Sequence, residues 1–281
     1  MTTTTASTAA PGATATPRQP TPLSIGLQRA RVEVLQFFRD REAVVFIFTF
    51  PLILLFIFGS VFSQSIAPGV SFRQYFVAGM IASGLMTTGF QSLAINIPVE
   101  RDNGTLKRLA GTPMPPAAYF LGKACLIVVT TVGQLVLLML VGALLFDLNL
   151  PSDPGRWVTF AWLVLLGSFA MTMLGIAFTA LVRNGKSAPA IVSPVAIVLQ
   201  FISGVFFQYD QLPTWMRDVA AVFPLKWLTQ GMRSVFLPDS FVSREPAHSW
   251  QHGTTALVLL AWAVVGGVVA TRTFRWQRDA R

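Results

Sequence analysis

The chain contains one cysteine, Cys125, so it can form no intrachain disulfide and cannot build a thiolate metal cluster. Histidine is almost as scarce: His248 and His252 both fall in the last polar connection, where a metal site is not expected. Charge is also low, with 12% of residues Asp, Glu, Lys or Arg, against ~25% in an ordinary soluble domain. The deficit is concentrated in six apolar stretches, about 43–62, 74–97, 124–146, 157–182, 188–208 and 254–271, whose interiors carry no charge. A pump driven by protons or ions keeps Asp, Glu, His or Arg at membrane depth. Their absence disfavours a proton-coupled antiporter and puts the energy source for any transport elsewhere. No Ser-His-Asp, HExxH or Cys constellation with usable spacing is present, so the chain is expected to catalyse nothing.

What the chain does have is apolar length. Each stretch is near or above the ~18–20 residues that cross ~30 Å of hydrocarbon at 1.5 Å per residue. The expected fold is therefore an all-α integral membrane protein with six transmembrane helices. Placing both termini in the cytoplasm puts Lys and Arg mostly inside, 15 residues against 6 outside, and the net charge of +9 with them. That bias sets the orientation. It also accounts for the basic pI without a nucleic-acid partner.

Residues 1–22 are mostly Thr, Ala and Pro with no apolar h-region, and read as a disordered tail rather than a cleavable signal. From 24 to 41, Leu27, Ala30, Val34, Phe37 and Phe38 recur at helical spacing among Arg29, Arg31, Glu33, Gln36, Arg39 and Asp40. With Ser24 as expected N-cap, this is a basic amphipathic helix lying in the cytoplasmic interface, in contact with membrane lipids. Pro51 predicts a kink in the first span. Gln91, Thr130, Gln134, Gln200 and Ser203 are polar groups within spans, expected either to pack helix on helix or to line a substrate path. Beyond the fifth span, Leu212, Trp215, Met216, Val219 and Phe223, then Leu225, Leu228, Met232, Val235 and Phe236, trace two short amphipathic helices joined at Pro224. They are expected at 209–237 in the outer interface or dipping into it, with Trp215 and Trp227 at headgroup depth.

Two motifs remain. Residues 180–187, ALVRNGKS, nearly spell a phosphate-binding P-loop, but Ala180 replaces its first glycine and no strand precedes it. It reads as a tight inner turn. The loop 98–118 carries Glu100, Arg101, Asp102, Asn103, Gly104, Thr105, Leu106, Lys107, Arg108 and Leu109. Leu106 and Leu109 share one side of a short helix, so the loop suits docking of an apolar knob with flanking charge into a cleft on a partner protein.

The Glu-Arg-x-x-Gly-Thr-Leu-Lys-Arg-Leu loop after the second span resembles the permease subunits of type-2 ABC exporters, in particular the daunorubicin/doxorubicin-resistance branch. The likeness extends to the block Ser203-Gly204-Val-Phe-Phe, Leu212-Pro213-x-Trp215, Pro224-Leu225 and Gly231-Met-Arg233. It covers residue 23 to the end and departs from the pattern at Gln208, where a breaker such as Pro is usual. The resemblance implies a transporter subunit in a bacterial plasma membrane, paired with a second permease copy or a related permease. It also implies two copies of a separate ATPase that binds ATP and Mg. On the same ground, Glu100, Arg101, Gly104, Thr105, Leu106 and Leu109 would couple to the ATPase. Arg29, Arg31, Phe38 and Arg39 would lie on the connecting helix. Leu212, Trp215, Pro224 and Trp227 would belong to the outer gate. Cargo by this likeness is an amphiphilic drug, antibiotic or lipid, with efflux and multidrug resistance as its setting. The alternatives are a non-transporting assembly factor or ATPase-docking scaffold, or a polysaccharide exporter.

Overall fold

The computed structural model describes residues 21–62, 64–146 and 148–273. The expected tail, apart from its last two residues, lies outside these, as do Arg275, Arg278 and Arg281. The chain begins with α1 (Pro22–Arg39), two residues earlier than expected. Thr21, not Ser24, is the N-cap: its Oγ1 accepts the Ser24 N–H at 3.3 Å. Pro22 is preorganised for the first helical position and has no N–H to leave unsatisfied there. Asp40 ends this helix and caps the next, accepting the Ala43 N–H at 3.1 Å.

Helix α2 (Arg41–Val61) is the first long apolar helix. A short hairpin not anticipated from sequence follows, β1 (Ser65–Ala67) and β2 (Val70–Ser71), antiparallel across Pro68-Gly69. A Ser71–Gln74 capping box then starts α3 (Phe72–Leu85). This continues through a π-helical segment, Met86–Gln91, into α4 (Ser92–Asp102). These three form one 31-residue helix, the most buried of the long helices, at the centre of the bundle.

Next come the short α5 (Thr105–Ala110), the long α6 (Pro116–Leu145) and α7 (Pro154–Phe178). Among the described residues, five helices, counting α3–α4 as one and including α11 (His252–Thr273), are long and apolar enough to cross a membrane. The fifth apolar stretch differs from its expected length. Its helix α8 (Ala188–Ile202) stops after 15 residues, roughly 22 Å, and the chain turns at Gly204, whose φ is +77°. Val205 and Phe206 run on as buried, irregular backbone, and Phe207 is exposed. Two outer helices follow, α9 (Thr214–Val222) and α10 (Pro224–Phe236).

A Pro51 inside α2 cannot donate to the Ile47 carbonyl one turn earlier. That carbonyl is met instead from α6, where Gln134 Nε2 donates to Ile47 O at 3.4 Å. In lipid, water is not there to do this, so a neighbouring helix must. Two residues that look unrelated in sequence are thus one device.

Candidate functional site at the inner end of the bundle

The inner ends of α1, α4 and α6 meet around buried charge. Lys123 lies near the start of α6 and is 3% exposed. It donates to Glu33 Oε2 of α1 at 2.9 Å and also to Glu100 of α4. Arg29 pairs with Glu33 one turn away. Tyr119, one turn before Lys123, donates its hydroxyl to Glu100 Oε2 at 2.8 Å, and the Arg29 and Lys123 cations lie 5.9 and 5.5 Å from its ring centre. Two carboxylates and two cations neutralise one another here. Removing one member would strand a buried charge, a change that costs about 3–5 kcal/mol in well-buried pairs. Beside the cluster is a cavity of about 220 Å³, bounded by Gln36, Asp40, Ser92, Asn96 and Thr130 as well as Glu33.

The loop motif sits directly below. Val99 O accepts the Asn103 N–H at 3.0 Å and Arg101 O accepts the Gly104 N–H at 3.1 Å, closing α4. Gly104 adopts φ +72° with nothing near its Cα, so it is the backbone angle, not space, that calls for glycine. This left-handed residue reverses the chain into α5. Leu106 does not point outward as the docking knob expected from spacing. It is fully buried, packed in a cluster with Leu93, Ile97, Tyr119 and Ile127, and Leu109 packs against the same cluster. The physical reason is that a one-and-a-half-turn helix cannot hold itself, so its apolar side anchors it to the bundle. Lys107 and Arg108 are what α5 exposes.

The P-loop look-alike is indeed a turn. Its Gly185 N–H donates to Asp102 Oδ2 at 2.5 Å, so the amide that a phosphate would need is already taken. A Cβ on Gly185 would come within 2.7 Å of Val99 Cα, so the two inner loops touch backbone to backbone.

Of the connecting-helix residues, Arg29 joins the charge cluster, whereas Arg31, Phe38 and Arg39 are exposed. The helix turns Gly26, Ala30 and Glu33 inward against the bundle; of the expected apolar stripe only Ala30 is buried, Val34 and Phe37 are half-buried, and Leu27 and Phe38 are 55% and 50% exposed. Glu33, Lys123 and Tyr119 were not singled out from sequence. The available signal was Lys123 itself: the apolar stretch begins just after it, while the helix begins seven residues earlier.

Of the five polar residues expected within spans, four side chains reach a neighbouring helix or their own, while the buried Ser203 hydroxyl has no partner among the described residues. Ser83 of α3 donates to Gln200 Oε1 of α8 at 2.7 Å, and Gln91 Nε2 donates to Ser193 Oγ at 3.3 Å. Thr130 Oγ1 donates to Leu126 O at 2.9 Å within α6. Thr88, in the π-helical segment, and Thr131 share a hydroxyl hydrogen bond of 2.7 Å.

At the outer end, α10 is buried along its whole length rather than lying with a polar face in the interface. Arg233 is fully buried and donates to Glu245 Oε1 at 2.6 Å. Its Nη1 also donates to Gly204 O at 3.4 Å, while Thr229 Oγ1 donates to Ser203 O at 2.6 Å and Tyr75 Oη to Phe207 O at 3.3 Å. These three side chains satisfy the carbonyls freed where α8 breaks, which is the condition for irregular backbone at membrane depth. Of the expected gate residues, Leu212 is half-buried, Trp215 is 64% exposed, and Pro224 opens α10 and is buried. Trp227 is 7% exposed with its indole N–H on Ala221 O at 2.7 Å, so it is enclosed by protein rather than presented as a surface anchor. Lys226 lies 3.4 Å from the centre of that indole and donates to Gln230 Oε1 at 2.6 Å. Burial lowers its pKa to about 8. His248 Nδ1 is 3.0 Å from Ser243 O, and His252 Nε2 is 2.8 Å from Ser234 Oγ.

A bundle of long apolar helices joined at one end by buried charge, just above a basic short helix, fits a multi-pass membrane protein. The chain matches the model of the ABC-2 type transporter family over residues 29–237 and belongs to that family. It is similar to the putative transport permease ycf38 of Porphyra purpurea, 23% identical over 66% of this chain and 65% of the relative. It is also similar to the putative transport permease YvfS of Bacillus subtilis, 20% identical over 68% and 77%. The probable multidrug ABC transporter permease YbhR of Escherichia coli is 19% identical over 62% of this chain and 46% of its own length. The match thus spans about two thirds of the first of these relatives and under half of the last.

Proposed function

We propose that the chain is the membrane-spanning subunit of an ATP-driven exporter, crossing a bacterial plasma membrane six times with both termini inside. It would act with two copies of a separate ATPase, which would bind ATP and Mg, and with a second permease copy. Its cargo would be amphiphilic: a drug, antibiotic or lipid. The observation that carries this reading is the Glu33–Lys123–Glu100 junction, which ties the connecting helix α1 to the inner end of the central helix directly above α5. A partner pushing on α5 moves α4, and α4 moves α1 and α6 through Lys123. The residues assigned to coupling divide accordingly. Lys107 and Arg108 face the ATPase, Leu106 and Leu109 anchor α5, Gly104 supplies the turn, and Glu100 transmits.

The test is to purify the chain gently from its host with whatever binds it and assay ATPase activity with amphiphilic drugs. A stoichiometric P-loop partner whose activity responds to drug is expected. Lys107→Glu with Arg108→Glu should abolish that association while membrane insertion and melting temperature hold. A double variant that still binds and transports normally would remove α5 from the docking role. A bound ATPase whose activity does not respond to drug would favour the non-transporting scaffold, and an intact, partner-free preparation would remove the exporter reading.

A further inference from the structure

A second concavity, unrelated to the charge cluster, runs along the lipid-facing side of α7 and α11 and ends at the start of α6. It is a groove of about 840 Å³ lined by Pro116, Phe120, Phe169, Met173, Ala263 and Gly267 among others. Phe169 and Val264 on its lips are 54% and 64% exposed. Its floor is hollow because α11 offers small residues there: a Cβ on Gly267 would meet only Met173 Sδ, at 3.8 Å. Along α11 the lining runs from Leu260 to Thr271, roughly 17 Å at 1.5 Å per residue. That is about the hydrocarbon depth of one leaflet, half of ~30 Å.

The mouth of the groove is positive. Helix α6 starts there at Pro116 with no side-chain cap and no acidic residue in its first turn among the described residues, so the positive end of a 30-residue helix dipole faces the mouth. Arg272, exposed in the last turn of α11, follows the lining residue Thr271 directly. An apolar slot one leaflet deep with a cationic mouth matches one ligand chemistry, an acyl chain joined to an anionic phosphate.

We infer that the α7–α11 groove seats one acyl chain of an anionic phospholipid, its phosphate held at the start of α6 and by Arg272. That the leaflet is the inner one rests on the orientation proposed above; the groove and its polarity do not.

The experiment reconstitutes the full chain into phosphatidylcholine vesicles containing a minor fraction of phosphatidylglycerol with a diazirine on one acyl chain. Crosslinked peptides are then mapped by mass spectrometry. Label should concentrate in Phe169–Ile176 and Leu260–Thr271, several-fold above the equally exposed α2 and α6 faces at Phe46–Ile57 and Val128–Leu140. Gly267→Leu, which fills the floor, should lose the groove label while the other faces keep theirs. Val264→Phe, on the exposed lip, serves if the floor variant fails to fold. Arg272→Gln should remove the preference for phosphatidylglycerol over an equivalent phosphatidylcholine probe. Uniform label on all lipid-facing surfaces, or groove label unchanged in a folded Gly267→Leu chain, would overturn the assignment. So would chain-to-chain crosslinks through the groove, which would give it to a second copy. No ATPase or cargo is in these vesicles, so this result stands apart from the exporter reading, which fails instead by the absence of an ATPase partner.

Discussion

The two ends of this bundle both bury charge, and they use it differently. At the outer end, Arg233 and Glu245 are twelve residues apart in sequence and pair where the α8 break leaves the Gly204 carbonyl exposed. Their role is to complete a backbone that is not helical. At the inner end, Glu33, Glu100 and Lys123 come from three separate helices and leave a cavity beside them. Their role is to join three helices through a single cation. The outer charges therefore make one element rigid, whereas the inner charges make three elements move together. Equal burial carries opposite mechanical meaning depending on how many independent helices the charges bridge.

Four substitutions would break or sharpen that contrast. The largest effect is expected from Arg233→Met, which strands Glu245 at 2% side-chain exposure, a loss of about 3–5 kcal/mol. Thermal unfolding of the purified protein should show it, and Arg233→Lys should rescue only partly, because a single ammonium cannot reproduce the fork. Next is Lys123→Met. Glu100 keeps 20% side-chain exposure, so water relieves part of the stranded charge and the stability loss should be smaller, about 2–3 kcal/mol. Its distinguishing mark is functional: drug-stimulated ATPase activity should fall further than stability does, and Glu33→Gln in the same chain should recover the melting temperature but not the stimulation. If both recover together, the junction is merely structural, like the outer pair. Third, Gln134→Leu should cost about 1–2 kcal/mol by leaving the Ile47 carbonyl without a donor. Pro51→Ala should remove most of that penalty, and a double-mutant cycle measures the coupling.

The smallest effect is one of pH. Burial lowers the Lys226 pKa to about 8 from 10.5. Below pH 8 the lysine is charged in both states and the cost of burying it is fully present. Between about 8 and 10.5 the folded chain has released its proton while the unfolded chain still holds one, so stability should rise with pH across that window. Lys226→Met should flatten the rise, as followed by denaturation at stepped pH. An unchanged slope would place the titrating group elsewhere.

The long helices were legible because a run of uncharged apolar residues has few alternatives in a chain this short of charge. The resemblance of the Glu100–Leu109 loop and the Ser203–Arg233 block also led to the family. Less visible were the features that depend on which way a side chain turns. Leu106 reads as a surface knob because it shares one side of a short helix with Leu109 and basic residues lie between them, yet α5 is too short to stand without burying it. Trp227 reads as an interfacial anchor by residue type, but α10 is enclosed by α3, α7 and α11. The fifth apolar stretch looks long enough to span, and nothing local announces that Arg233, Thr229 and Tyr75 will take over the carbonyls past Ile202. Lys123 was hidden for a simpler reason: apolarity marks where lipid begins, and the helix starts earlier.

The central helix invites a mechanical comparison. Its 31 residues make a rod of roughly 46 Å, longer than the ~30 Å of hydrocarbon around it. The π-helical turn divides it into an outer arm of 14 residues and an inner arm of 11. A seesaw pivoting on that turn, where Thr88 is bonded to Thr131, moves its two ends in opposite directions by similar distances. One end carries Glu100 and the other carries Tyr75. A tilt of an ångström or two imposed from inside would therefore arrive, nearly undiminished and reversed, at the phenol that holds the broken end of α8.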